Sequence, residues 1–524
     1  MKRPPASPSK DPAPALAARA ACPSRSIRPS LRLLGLLLAA LPWCVWPSGL
    51  WLDPLTDPKW PLGCAGMVAC LLLIVREERA GGGEWPLAPR GLWPGPFAAG
   101  AGLIVAGLLL SAAASPVRGL GLLTALRESF YPLFALVLAL RPPARSELRW
   151  VLGCLLVSMS FEALLALGQY FVPDWTDALT FKTGLPAGRG SMIGTIGNPE
   201  YLVGWLAMGL AAAVALALGR GAPERRGRDP LPLLAAVAGA LSLLMIFVSG
   251  GRGAALAVAA ALAALGVVMF MAGRLQRAPK RADDQDSELS GQDSARGSIF
   301  PIVPIAPLRK PTANFLRRGW IFAVAGLMLT ILIVFSAVQN PQARHGSLPD
   351  RLRNLADFYT PSMRHRIGLL AVTSQMIRER PLLGAGPGLY AHGFALTQGA
   401  LAAAQPGVGF WAFGDVLAEV VVSEAHCDPL QWWAEYGLLP FAGLLLMLSA
   451  ALAGAWKSLG PGASPSERHR RTLTAALWAA VAALGVDMWV AFPLHQPVRA
   501  LTFWSLLGLL AAAGQGVGSS DSQS

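Results

Sequence analysis

Residues 95–114 read GPFAAGAGLIVAGLLLSAAA, a stretch without a charged side chain. A helix needs roughly 20 mainly apolar residues to cross a lipid bilayer, so this stretch predicts a transmembrane helix. The whole chain has the same character: of its 524 residues, 54% are hydrophobic and 14% are charged. Soluble domains carry about 25% charged residues, and one aqueous core cannot enclose so much apolar sequence. We therefore expect an all-α, polytopic membrane protein rather than a soluble domain.

Similar apolar stretches along the chain predict about twelve transmembrane helices. They lie at approximately residues 32–46, 60–75, 95–114, 119–140, 150–172, 199–219, 231–248, 254–273, 320–338, 430–456, 472–491 and 500–514. Together they form a predicted membrane domain over residues 32–514. Residues 1–31 are rich in Pro, Ala, Ser and basic residues and predict a disordered cytoplasmic tail. Residues 515–524 predict a second, short cytoplasmic tail.

The positions of the basic residues predict which connections lie in the cytoplasm. If the amino terminus is inside, the inner segments hold 30 of the 44 lysine and arginine residues. This excess follows the positive-inside rule, and twelve spans then leave both termini inside. The net charge of +14 is therefore interpreted as a sign of membrane topology and not of nucleic acid binding.

Two long connections differ in character. Residues 274–319 contain an acidic run and Pro-rich sequence, which predict a flexible cytoplasmic loop. Residues 339–429 form a predicted outer loop with amphipathic, aromatic and Gly/Pro elements, and a long loop with its own secondary structure is usually functional. Within it, the glycines of 381–388 (PLLGAGPG) predict a tight turn that lets the backbone pass close to other elements, not a dinucleotide-binding loop.

One amphipathic helix is predicted inside the outer loop. Apolar and small residues recur on a single helical face from Ile367 to Ile377, basic residues including Arg364 and Arg366 flank that face, and Pro381 ends the pattern. Such a helix fits the membrane surface or the mouth of a helix bundle. This position is compatible with a functional arginine at the start of the helix.

The end of the outer loop carries several polar side chains. Glu424, His426 and Asp428 alternate there, directly before an aromatic segment typical of a membrane interface. The alternation is compatible with a divalent-ion site, and His426 alone is compatible with a catalytic or an exposed histidine. The six cysteines form no C-x-x-C pair, so neither a zinc site nor a disulfide scaffold is expected from them.

Charged residues also occur within or beside the predicted spans. Arg252 lies in the turn SGGRG at 249–253, between the seventh and eighth spans. An arginine at membrane depth usually faces a polar cavity, although it can also snorkel to the surface. Other buried candidates lie inside spans, and pairing across helices is expected for them: Arg127, Glu128, Glu162 and Asp487.

Four of these segments, in this order, resemble one family. They are residues 194–202 (GTIGNPEYL), 249–253, 366–386 and 426–437, and the resemblance covers roughly residues 190–450. The family is that of the O-antigen ligases and related O-antigen polymerases of bacterial envelopes. Arg366, with a leucine four positions later, fits one family pattern, and His426 with Gly437 fits a second. Cys427 and Pro440 depart from the second pattern and put a polar contact and the helix packing there in doubt.

The resemblance implies a glycan transfer at the periplasmic face of the cell inner membrane. The donor is a glycan on undecaprenyl pyrophosphate, and the acceptor is a hydroxyl of a lipid A-core saccharide, a growing polysaccharide or a protein. His426 is then the catalytic base, and Arg252 and Arg366 bind the donor pyrophosphate. Four residues are possible supporting groups: Arg364, Asn198, Glu424 and Asp428. Membrane lipids surround the protein, and no cofactor, metal or nucleic acid is required.

Alternative functions stay open at this point. A polymerase of the same family uses the same donor and differs in its acceptor. Secondary transporters, a different class, often have twelve spans, but the inner loop at 76–92 lacks the basic motif of major facilitator carriers. A structural envelope protein with vestigial family residues is a third alternative. The long structured outer loop favours the transferase.

Overall fold

The computed structural model describes residues 27–45, 55–80, 95–172, 174–180, 192–218, 230–249, 254, 256–263, 266, 361–404, 422–459 and 465–515. Over these residues the chain is helical and contains no strand, which confirms the predicted all-α class. Several predictions lie outside the described residues. These are the amino-terminal tail up to residue 26, Arg252, the span at 320–338, the loop at 274–319, and the carboxy-terminal tail beyond residue 515.

The described helices follow the apolar stretches of the sequence. In chain order they are α1 (Pro29–Ala40), α2 (Lys59–Ala80), α3 (Gly95–Ala114), α4 (Arg118–Ala139), α5 (Arg145–Phe171), α6 (Asp174–Thr180), α7 (Pro199–Leu218), α8 (Leu231–Ser249), α9 (Pro361–Glu379), α10 (Tyr390–Ala404), α11 (Asp428–Tyr436), α12 (Leu438–Ser458), α13 (Pro465–Asp487) and α14 (Pro497–Gln515). A 3-10 turn follows α1 and another, Pro493–His495, precedes α14.

Eight of the described helices are long and apolar enough to cross a membrane, namely α2, α3, α4, α5, α7, α8, α12 and α14. The chain is therefore a membrane protein, and the full count of about twelve spans stays a prediction. The span predicted at 430–456 is wrong in one respect, because Gly437 divides it into α11 and α12. The helix at the span predicted over 472–491 ends four residues earlier than predicted, because α13 stops at Asp487.

Small residues bring the transmembrane helices close together. α3 and α12 meet at Gly100 and Gly443, where a methyl group on Gly443 would lie 2.6 Å from the Gly100 carbonyl oxygen. Pro440, the departure noted in the sequence, packs its ring against Gly107 of α3. Small side chains at such interfaces let backbones approach and increase van der Waals contact. Pro440 is thus accommodated by a glycine on the neighbouring helix.

Ion pairs gather at one end of the bundle. Arg28, before α1, bonds Glu147 at the start of α5 over 2.7 Å, and Arg141 after α4 bonds Glu77 of α2 over 2.9 Å. These residues belong to predicted inner segments, which therefore meet at the same end. Such partly exposed pairs fix helix ends in register, although each adds little stability.

Charged residues inside the spans are paired, but not all as predicted. Arg127 and Glu128 pair with each other over 2.7 Å, so the expectation of pairing across helices is wrong for them. The Arg127 guanidinium also lies over the Trp60 ring, 4.6 Å from its centroid. Asp487 does pair across helices, with the fully buried Arg499 of α14.

Candidate functional site

His426 stands in a strained position directly before α11. Its φ is +53°, and it is the single described non-glycine residue with a positive φ. Such a conformation is uncommon and often occurs at functional sites. The half-buried ring packs edge-on against Phe492 at 4.8 Å and faces His365 of α9 at 6.4 Å. The loop that carries His426 is therefore held against both α9 and the connection between α13 and α14.

Arg366 of α9 links this helix to α7 and to the connection between α13 and α14, close to His426. It lies in the second turn of α9 and is 25% exposed. One guanidinium nitrogen donates to the carbonyl oxygen of Val490 over 3.1 Å, and the other donates to Glu200 Oε2 over 3.2 Å. The planar guanidinium can donate to two acceptors at once, as it would to phosphate oxygens. Glu200 is 43% exposed, so an anionic ligand could displace it.

The GTIGNPEYL segment at 194–202, which contains Glu200, is held in place by buried hydrogen bonds. Thr195 donates its amide N–H to Glu162 Oε2 over 2.8 Å, and its hydroxyl contacts the same carboxylate. Lys59 donates to the Thr195 carbonyl oxygen. Gly194 has a φ of +57° and leaves no room for a β-carbon beside the Glu162 carboxylate. The glycine and threonine of this segment are therefore required by its packing around Glu162.

Asn198 completes this arrangement as a helix cap. Its Oδ1 accepts the N–H of Glu200 over 2.8 Å, at the first turn of α7. Caps of this kind satisfy backbone donors that have no partner within the helix. The predicted supporting residue Asn198 therefore acts on the site through Glu200, by fixing the start of α7.

The electrostatic surroundings keep His426 neutral. Burial lowers its pKa, the nearby charges of Arg366 and His365 lower it further, and Glu200 opposes them, giving a value of about 4. At neutral pH the imidazole therefore has a free nitrogen lone pair that can accept a proton. A cationic guanidinium beside a neutral imidazole is suited to binding an anion and accepting a proton at the same place.

A second polar cluster surrounds His495, in the 3-10 turn that precedes α14. His495 Nδ1 contacts Asp428 Oδ1 at 2.7 Å and Glu424 Oε2 at 3.9 Å, and its Nε2 lies 4.0 Å from Glu435 Oε2. The Asp428 side chain is fully buried, and its second oxygen accepts the N–H of Leu494 over 2.7 Å. The predicted supporting residues Glu424 and Asp428 therefore bind His495.

The charges of this cluster favour a protonated His495. Burial alone would lower its pKa, but the three carboxylates outweigh burial and raise it to about 10. The amide nitrogen of Gln431 lies 3.2 Å from Nε2, and this contact is a hydrogen bond only to a neutral ring. Charge-assisted contacts are roughly twice as strong as neutral ones, so we assign the imidazolium. Burial also raises the pKa of Glu435 to about 7, although His495 lowers it.

The loop at 381–388 closes the carboxyl end of α11, as its glycines predict. Ala385 donates its N–H to the Ala434 carbonyl oxygen over 2.8 Å, and Gly386 donates to that of Glu435 over 2.9 Å. Leu438, at the start of α12, donates to the Leu382 carbonyl oxygen over 3.2 Å. These contacts satisfy helix-end groups that would otherwise lack partners. The family-like segments 366–386 and 426–437 are thus one packed unit.

The structure brings together part of the predicted site. Arg366 and His426 are neighbours, Arg364 is exposed two positions before Arg366, and Arg252 lies outside the described residues. Among the described residues, no group of three or more His, Cys, Asp or Glu side chains is arranged to hold a metal ion. The divalent-ion alternative for the 424–428 loop therefore has no support from this part of the chain.

Three residues of the site were missed by sequence reasoning. Glu200 and His365 stand beside residues that were named, but nothing in their local pattern marks them as partners of Arg366 and His426. His495 lies in the predicted outer connection between the last two spans, so its side of the membrane was available as an indication. Its contacts with Asp428 and Glu424 depend on the packing of segments distant in sequence.

The chain matches no model of a known protein family, and no curated protein matches it either. The resemblance over residues 190–450 therefore stays a prediction. The chemistry of this chain has to be inferred from the side chains around Arg366 and His426.

Proposed function

We propose that this protein transfers a glycan from undecaprenyl pyrophosphate to an acceptor hydroxyl at the periplasmic face of the bacterial inner membrane. One observation carries the proposal: a neutral, half-buried His426 stands beside the forked cation of Arg366 in a membrane protein. The resemblance to O-antigen ligases names the substrate class. The acceptor is a hydroxyl of a lipid A-core saccharide, a growing polysaccharide or a protein.

Arg366 is proposed to bind the donor pyrophosphate. In the structure its two terminal nitrogens bond a backbone oxygen and Glu200, which are the kind of acceptors that phosphate oxygens would replace. The leaving pyrophosphate gains negative charge near low-dielectric lipid, where a fixed cation stabilises charge more strongly than in water. Arg252, outside the described residues, is proposed as a second cation for the same group.

His426 is proposed to act as the base. The acceptor hydroxyl oxygen attacks the anomeric carbon, the bond from that carbon to the phosphate oxygen breaks, and the pyrophosphate leaves with the electron pair. The hydroxyl proton passes to the neutral ring of His426. A pKa near 4 makes the free histidine a weak base. Bound pyrophosphate neutralises Arg366 and so raises that pKa toward the range suited to proton transfer.

Glycan transfer by matched variants tests the proposal. His426→Gln should lose about 10²-fold or more in rate, the usual scale for removal of a general base. Arg366→Lys keeps the charge but loses the fork, so donor binding and transfer should both fall sharply. Arg378→Lys, an exposed change near the other end of α9, is the control. Normal transfer by His426→Gln at normal membrane levels would refute the assignment.

The side of the membrane has its own test. Alkaline phosphatase is active only after export, so a fusion at Gly399 should be active and a fusion at Ser290 inactive. The charge distribution predicts this outcome, since the loop at 274–319 is basic and Gly399 follows an odd number of predicted spans. Activity of the Ser290 fusion alone would put His426 in the cytoplasm, where the proposed donor glycan is not displayed.

A further inference from the structure

We propose that His495 is a positioning residue for His426: it holds Glu424 and Asp428, one on each side of His426, and thereby fixes the ring for the proposed transfer. This inference rests on the proposed function for its catalytic meaning. The geometric part of the inference stands on contacts alone, because the His495 ring lies close to the carboxylates of both Glu424 and Asp428. No local feature of the sequence assigns His495 a role.

The segment before His426 is held by Glu424, Ala425 and Gln431. Glu424 Oε2 accepts from Gln431 Nε2 over 2.8 Å and lies 3.9 Å from His495 Nδ1. The N–H of Ala425 donates to Gln431 Oε1 over 2.7 Å. Ala425 is fully buried, so the backbone on this side cannot shift without breaking buried hydrogen bonds.

The segment after His426 is held more tightly. Asp428 Oδ1 contacts His495 Nδ1 at 2.7 Å, and the Asp428 N–H donates to the Met488 carbonyl oxygen over 2.8 Å. Between these two anchored sides, His426 adopts a left-handed backbone that its side chain does not favour. A strained residue keeps such a conformation only where the surroundings hold both of its neighbours. The His495 side chain contacts the anchors on both sides.

Charge explains why this position needs a cation. Three carboxylates, those of Glu424, Asp428 and Glu435, face the His495 ring, and the Asp428 side chain is fully buried. Without a cation they repel one another or must take up protons. Either outcome changes the position of Glu424 and Asp428. His426, between them, would then relax toward a more exposed and less strained conformation.

The experiment compares His495→Gln with the double variant His495→Gln/Glu435→Gln. The single change removes the cation, and the double change also removes one carboxylate. We expect His495→Gln to lower the transfer rate at least 10-fold at pH 7.5 with little change in donor KM, because Arg366 is untouched. The double variant should recover part of the rate. His392→Gln, an exposed histidine of α10, is the matched control.

A second measurement does not depend on transfer at all. Ring resonances of ¹³C-labelled histidine, assigned with a His426→Gln variant, report the pKa of His426 directly. In His495→Gln this pKa should rise from about 4 toward the ordinary histidine value of 6.5, since the ring becomes less buried. A role in packing alone would not respond to Glu435→Gln.

The outcomes separate the two proposals. A shifted His426 titration in a protein that shows no transfer would keep His495 as the positioning residue and refute the proposed function. Normal transfer by the wild type with an unshifted titration in His495→Gln would refute the positioning role. If His495→Gln does not accumulate in membranes, the double variant decides between the outcomes. It lacks one of the three carboxylates, so the repulsion among them is weaker and the protein should accumulate. Failure of both, or a loss that Glu435→Gln does not relieve, overturns the inference.

Discussion

The break between α11 and α12 depends on Gly437, and its replacement should be strongly destabilising. Gly437 has φ +89° and ψ −176°, a region that is essentially restricted to glycine. A β-carbon there would lie 2.6 Å from the Leu382 carbonyl carbon and 2.8 Å from Leu383 Cα. Both are backbone atoms, so neither can rotate away. The collision also displaces the loop whose carbonyl oxygen accepts the N–H of Leu438.

The expected magnitude follows from these two effects. A side chain in a disfavoured backbone region costs about 1–3 kcal/mol, and loss of a hydrogen bond costs about 1 kcal/mol more. Gly437→Ala should therefore destabilise the protein by about 2–4 kcal/mol. Gly454→Ala is the matched control, because Gly454 lies inside α12 with no neighbouring atom within 4 Å of the added methyl group. That change should be neutral or stabilising by about 0.5–1 kcal/mol.

Thermal unfolding in detergent, followed by intrinsic tryptophan fluorescence, measures both variants. Gly437→Ala should unfold at a clearly lower temperature than the wild type, and Gly454→Ala at the same temperature or higher. Equal unfolding temperatures for the wild type and Gly437→Ala would refute the assigned backbone conformation. A similar loss in both variants would show that α12 tolerates no added methyl group, and the argument from Gly437 would then fail.

Three further predictions concern pH and metal ions. The rate of transfer at low donor concentration should stay high down to about pH 4, where His426 becomes protonated. Glu200→Gln should move this acid limit to a lower pH, because Glu200 raises the pKa of His426. His495, with its pKa raised to about 10, should stabilise the fold fully below pH 6.5 and lose that contribution as pH rises through 10, which unfolding temperatures between pH 6 and 10.5 would measure. Transfer in proteoliposomes should survive EDTA; a loss restored by Mg²⁺ would assign Glu424 and Asp428 to an ion.

Local sequence was sufficient to locate most helices. Hydrophobic stretches of about 20 residues predict α3, α4, α5, α7 and α8 to within a few residues, because membrane insertion depends on the summed hydropathy of a continuous segment. The same reasoning joined α11 to α12. Gly437 departs from helical geometry through its backbone angles, and summed hydropathy is insensitive to a single such residue.

The sequence also supplied part of the candidate site. Arg366 and His426 were named from the family resemblance, and their residue types are compatible with anion binding and proton transfer. Their partners could not be found in this way, since Glu200 is 166 positions before Arg366, and His495 is 67 positions after Asp428. Nor could residue types distinguish Asn198 as a cap from Asn198 as a ligand, because both roles use the same amide oxygen.

By itself the sequence determined that this is an all-helical membrane protein, and it predicts that basic segments lie on one side of the membrane and a polar loop on the other. These properties follow from composition and from order along the chain. The tertiary structure alone decided that α7, α9 and the turn before α14 meet at His426. It also decided that the His495 ring contacts the carboxylates of the 424–435 segment. The physical reason is that burial and charge pairing depend on distances in space. Those distances are set by how helices pack, at glycines such as Gly100 and Gly443, and not by the residues that finally meet.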